Sequence, residues 1–150
     1  MRRESVWRDE QGSAALEFLL VGLVMLVPIV YLIVALGQIQ SGALAAEAAA
    51  RHVTRSISSA VDETDAAERS ARVLSAVASE YGLAERDIAI DVTCAPSPDR
   101  CPAAGVLVRV TVRVTVALPL VPDVWGLHDR ARVPVEATSV QKMSRVWGAG

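Results

Sequence analysis

Few residues in this sequence have types and spacing that suggest chemistry. Glu17 is the last charged residue before a charge-free stretch from Phe18 to Ala46. Gly12 and Ser13 stand five and four positions before it. A chain cut after Gly12 would begin at Ser13, and its new α-amino group, with a pKa of about 7.7–8.0, would be largely cationic. That amine would lie at the same depth as the Glu17 carboxylate. Within one helix, residues four apart share a face. Between two molecules, the amine of one meets the carboxylate of the next. Either pairing lowers the cost of a charge in lipid, and the second also sets a register for assembly. The plain alternative is a carboxylate snorkelling into headgroups: a charge costs about 2.5–3.5 kcal/mol at the centre of a span and less near its ends.

Cys94 and Cys101 are the only cysteines, separated by Ala-Pro-Ser-Pro-Asp-Arg. Two prolines in so short a loop bend the chain. In an exported domain such a pair reads as a disulfide. Two free thiols and a metal site are the alternatives, the last opposed by the sequence distance of His52 and His128. Asp62-Glu63-Thr64-Asp65 reads as a helix start. The spaced oxygen ligands and closing glutamate of a calcium loop are missing. His128 and Asp129 are adjacent, yet no nucleophile is marked by its context. There is no phosphate loop, GxSxG or metal cluster. An enzyme is therefore not expected, nor a metal, a cofactor or a small-molecule substrate. A net charge of -2 gives no basic surface for nucleic acid.

The element that must hold Glu17 is the apolar run. Phe18 to Ile39 is 22 residues, interrupted only by Gly22, Pro28, Gly37 and Gln38. A bilayer core of about 30 Å needs roughly 20 helical residues. Pro28 would kink or break a soluble helix but is tolerated in a membrane helix. A buried core helix is one rival, although core helices seldom run so long without a polar residue. A cleaved signal peptide is another, with Arg2, Arg3 and Arg8 as its basic region and Ala43-Leu44-Ala45 as its cleavage site. Its apolar region would be longer than the usual 7–15 residues. Three arginines precede the run and Arg51 and Arg55 follow it, so the charge rule leans weakly to an inside N-terminus.

Beyond the run, Gln40 to Ala60 keeps a helical, alanine-rich character, with Glu47 and Arg51 as an i,i+4 pair. Leu44, Ala48, Val53 and Ile57 would form its apolar stripe. A helix from Ser13 to Ser59 would be about 70 Å long. A second, amphipathic helix is expected from Thr64 to Tyr81, with Val73, Leu74, Val77, Ala78 and Tyr81 on one face and Gly82 as its stop. The period then changes to two. Ile88, Ile90, Val92 and Cys94 alternate with polar or small residues. Val106, Val108, Val110, Val112, Val114, Val116 and Leu118 form one face of the clearest strand, ended by Pro119 and Pro122. A third strand over 130–140 turns Ala131, Val133, Val135 and Ala137 inward, and Pro134 marks it as an edge. Arg109, Arg113, Arg130 and Arg132 would share the outer face, as a solvated sheet surface or a basic patch. Trp125 and Leu127 fall in a loop, tucked under the domain or serving as a contact anchor. The fold class is α+β: two helices, then a small three-stranded antiparallel sheet.

Gly12-Ser13-Ala14-Ala15-Leu16-Glu17-Phe18 resembles a type IV prepilin processing site. The wider stretch from Arg8 to Arg55 resembles the TadE-like family of tight-adherence (Flp-type) pilus proteins, down to Ala48-Ala49-Ala50-Arg51. The family often carries a proline early in the span, whereas Pro28 sits near the middle here. The resemblance implies a cut by a prepilin peptidase between Gly12 and Ser13, Glu17 as the assembly carboxylate, and a pilin-like plan. It also implies, as partners, the membrane, other pilins or pseudopilins and the pilus assembly platform.

The expected organisation is a leader over 1–12, a transmembrane helix over 13–39, a helical stalk over 40–60, an extracytoplasmic domain over 61–143 and a flexible tail over 144–150. The chain is expected to be a single-pass protein of the cell membrane with a cytoplasmic N-terminus, acting as a minor pilin or pseudopilin. Two other readings stand beside it. One is a secreted soluble binding domain released by cleavage near Ala45. The other is an uncleaved anchored protein whose outer domain binds a partner.

Overall fold

The computed structural model describes residues 10–99, 101–121 and 130–148, with side chains from Ala14 onward. Its elements are α1 (Glu10–Ser59), α2 (Glu63–Tyr81), a single 3-10 turn (Glu85–Asp87), β1 (Ile88–Ala95), β2 (Leu107–Ala117) and β3 (Arg132–Lys142). This is the α+β order that the change of period predicts. The chain divides into two compact units, Met1–Leu36 and Gly37–Gly150.

The first unit contains the N-terminal part of α1. The helix continues through Pro28. Its large apolar side chains, among them Leu16, Phe18, Leu23, Leu26, Ile33 and Leu36, are exposed. Among the described residues, α1 is the one helix long and apolar enough to cross a membrane.

The second unit is built on β2. The sheet order is β1-β2-β3, antiparallel throughout, so β2 is central and Pro134 does fall on an edge strand. The valine alternation does what its period requires. Val108, Val110, Val112 and Val114 are completely buried, with Val106 and Val116 nearly so. Each fully buried valine is worth about 1.5–3 kcal/mol. In β3, Val133, Val135 and Ala137 face inward and are half-buried.

The partner surface is the C-terminal part of α1, and here the helix face differs from the expected stripe. Leu44 is 58% exposed and Ala48 only half-buried. The buried face is Gly42, Ala45, Ala46, Ala49, Ala50, Val53 and Ile57. The cause is distance. A Cβ added at Gly42 would collide with Val116 Cγ2. From Gly42 to Ala50 the buried positions are all glycine or alanine, and larger side chains, Val53 and Ile57, are buried only further along the helix, as the expected stripe has them. The apolar weight of the interface therefore comes from the sheet. Thr54, fully buried on the same helix, satisfies its hydroxyl by donating to the Ala50 carbonyl at 2.6 Å.

Residues 40–60 are thus the spine of the domain rather than a stalk leading to it, and the compact unit begins at Gly37 rather than at residue 61. The tail expected over 144–150 is also different. Trp147 packs against the core, and its indole N–H donates to the Ile57 carbonyl at 3.0 Å. Met143 is buried, and its N–H donates to the Val106 carbonyl at 2.8 Å. Through Gly148 the chain is held by these contacts instead of fraying; 149–150 lie outside the described residues.

α2 follows the sequence closely. Val77, Ala78 and Ala66 are buried, and Val73, Leu74 and Tyr81 pack beside them. Asp62 is the N-cap, accepting from the Asp65 N–H at 2.8 Å, and Gly82 is the left-handed C-cap at φ 64°. β1 departs from expectation in one respect. Ile90 and Val92, meant for burial, remain 37% exposed beside a groove of about 340 Å³. The α2 residues that line it are Glu63, Ala66, Ala67, Ser70, Ala71 and Leu74, of which the middle four are too short to close the groove.

Candidate functional site

The candidate site begins where α1 begins. Residues 10–13 are helical in backbone, so the Gly12–Ser13 bond lies within the first turn of α1. Residues 1–9, with Arg2, Arg3 and Arg8, lie outside the described residues. Ser13 and Glu17 are four apart on one helix and therefore share a face. Glu17 is exposed, between Leu16 and Phe18, both exposed as well. The ion pairs among the described residues do not include it. An exposed carboxylate at the head of an exposed apolar helix has two stable surroundings. One is the water and headgroups at a bilayer edge. The other is a cation brought by a second group at the same depth.

The remaining site residues sit in the second unit. Cys94, buried at the end of β1, is bonded to Cys101, with their Cα atoms 5.4 Å apart. Of the alternatives the sequence leaves open, the disulfide is the one formed. It closes the Pro-Ser-Pro loop beside the β1–β2 pairing, where Cys94 stands opposite Val108. Among the described residues no group of three or more His, Cys, Asp and Glu is placed to hold a metal ion.

The acidic break is a helix start with a two-way set of bonds. Asp62 caps Asp65, while Asp65 Oδ2 accepts the Val61 N–H at 3.1 Å. Asp65 Oδ1 accepts from Arg69 Nε at 2.7 Å. The Arg69 hydrogen bond, then that of the Val61 N–H, holds the Asp65 carboxyl below its ordinary range.

The outer sheet face forms no basic patch. Arg113 donates to Glu136 Oε2 from Nη2 at 2.6 Å and from Nε at 3.1 Å. Arg132 pairs with Asp87. Two of the four arginines thus have carboxylate partners, Arg113 across β2 and β3 and Arg132 on the 3-10 turn, and the hydroxyls of Thr111 and Thr138 meet at 3.1 Å. This is a mixed, solvated face. Trp125, Leu127, His128 and Asp129 lie outside the described residues.

Two residues that matter escaped the reading of types and periods. Gly42 was legible in principle, because Gly42, Ala45, Ala46, Ala49 and Ala50 recur at helical spacing. Small residues at that spacing mark a close approach. Trp147 had no local signal, since its partner is ninety positions away.

No protein-family model matches this sequence, and no curated protein and no solved structure matches it either.

Proposed function

We propose that this chain is a membrane-anchored minor pilin or pseudopilin of TadE-like type. It is cut by a prepilin peptidase after Gly12 and acts in tight-adherence pilus assembly or filament structure. The observation that carries the reading is the head of α1. Gly12, Ser13 and Glu17 precede a charge-free apolar stretch that is helical throughout and whose leucine, isoleucine, valine, methionine and phenylalanine side chains are exposed as far as Leu36. In this reading Ser13 supplies the amine and Glu17 the carboxylate that pair within or between subunits. The apolar part of α1 crosses the cell membrane with the N-terminus cytoplasmic. The small sheet domain lies outside, in an oxidising compartment that suits the Cys94–Cys101 disulfide. A long helix carrying a three-stranded sheet is the plan of a pilin-like subunit, which supports the reading at the level of architecture.

Release of a soluble domain near Ala45 fits the molecule less well. Ala45 and Ala46 are completely buried against the sheet. A cut there would remove Gly42 and the first turns of the helix that the valines pack on.

The test is the mature N-terminus, determined by mass spectrometry on protein from its native cell. A start at Ser13 is expected. A start near Ala46 would replace the reading with a secreted domain. An intact leader would leave an anchored protein with Glu17 as an interfacial residue only.

A further inference from the structure

We propose that Cys101 is the sulfur at which an external thiol enters the Cys94–Cys101 bond, and that the partner this bond exchanges with is a dithiol. Every residue involved lies in the second unit, so the site stands whether or not α1 crosses a membrane.

The two sulfurs have different surroundings. Cys94 is 6% exposed and belongs to the buried core, opposite Val108 in the β1–β2 pairing. Cys101 is half-buried and lines the groove of about 340 Å³ beside β1 and α2, next to Pro102. That groove is open because Ala67 and Ala71 are short, and Ile90 and Val92 line it from β1. Access decides which sulfur of a disulfide a thiolate attacks. A small thiol in the groove meets Cys101 there, whereas Cys94 is shielded by the packed core.

The exchange then has a direction. The entering thiolate bonds to Cys101 Sγ. The electron pair of the broken S–S bond leaves on Cys94 Sγ, which takes a proton. Burial in apolar surroundings disfavours a thiolate, so Cys94 is a poor leaving group. Once released, it is still held by its strand and can return to the mixed disulfide, expelling the entrant. A monothiol is turned back in this way. A dithiol is not, because its second thiol attacks the partner sulfur of the mixed disulfide. That step closes a disulfide within the partner and releases Cys101 as a thiolate, which takes a proton. Two electrons pass from the dithiol to the Cys94–Cys101 bond. In the reverse direction an oxidised partner receives Cys101 first, and Cys94 then displaces it to complete the bond.

The experiment uses the full chain in detergent. Cys94 and Cys101 are the only cysteines, and trypsin cutting after Arg100 places them in separate peptides. The chain meets mercaptoethanol briefly, is quenched in acid, unfolded and blocked with a maleimide. The adduct on each peptide is then counted by mass spectrometry. A several-fold excess on Cys101 is expected in the folded chain, with near parity in urea. Parity in the folded chain, an excess on Cys94, or no adduct before unfolding each overturns the assignment. Ala67→Phe fills the groove and should slow the reaction at Cys101 several-fold with the melting temperature retained. Ala71→Phe repeats the test one turn further along α2. A wild-type rate in either folded variant overturns the groove as the way in. At equal thiol concentration, dithiothreitol should outpace mercaptoethanol in reducing the bond by a larger factor in the folded chain than in urea. An equal factor in both states overturns the choice of a dithiol.

Discussion

Glu17 is a residue whose meaning depends on what stands beside it. In a free helix it is one exposed carboxylate. In the proposed assembly it is the group that a neighbouring amine must find. Glu17→Gln keeps the size and removes the charge. The mutant is expected to be exported and inserted normally and to lose most of its filaments, counted by electron microscopy against the membrane-bound pool. Normal pili in that mutant would sink the assigned role. Asp65 shows a carboxylate of the opposite kind, with its partner already in place. Arg69 lowers its pKa in the folded chain, so on acidification the unfolded chain takes up the proton first. Its contribution is complete above the unfolded value, about 3.8–3.9. It is lost as pH falls through the lower folded value. Urea unfolding of the full chain in detergent, at pH 5 and pH 3, should show wild type ahead of Asp65→Asn at the higher pH and a smaller gap at the lower. An equal gap at both would mean the Arg69 contact contributes nothing that titrates.

At the scale of elements, the boundary between what the sequence discloses and what it hides is physical. β2 was legible because alternation over eleven residues has one explanation, a strand buried on one side. α2 was legible because its caps, Asp62 and Gly82, are local chemistry. The buried face of α1 was not, because hydrophobicity points to Leu44 while the close approach to β2 selects glycine and alanine. Pairs of substitutions separate these two influences. Gly37 has nothing within 4 Å of an added Cβ, and Gly42 has Val116 in the way. Gly37→Ala should leave thermal stability unchanged or raise it by up to about 1 kcal/mol, the usual gain from removing a helical glycine. Gly42→Ala should lower it by about 1–3 kcal/mol through overpacking, unless the helix shifts outward as a body. Equal melting temperatures for the two variants would show that the approach is looser than described. The same contrast explains β1, where periodicity predicted a buried face but short α2 side chains leave Ile90 and Val92 half open.

For the whole molecule, the sequence revealed the α+β class and the order of its parts, but not that the alanine-rich helix is the domain's own core. Nor did it reveal the clasp at the C-terminus. Both depend on contacts between distant positions, which no local pattern encodes. The proposed site at the head of α1 rests on residue types alone, and the partners proposed for it are other molecules. The disulfide joins positions seven apart, and closing so short a loop is worth about 2–3 kcal/mol by the chain-entropy relation. Reduction should therefore lower the melting temperature of the domain by roughly 10 °C or more. An unchanged melt after verified reduction would mean that β1 and β2 hold the loop unaided. The bond from Trp147 to Ile57 sets an order in time as well as a place in space. A polypeptide emerges from its N-terminus, so the helix face of Gly42 to Ile57 is made long before the strands that cover it. Its last fastening waits for a tryptophan ninety residues after Ile57. Until then the nascent chain must keep an uncovered, alanine-lined helix apart from its copies, and a chain that stopped before Trp147 would leave the domain unlatched.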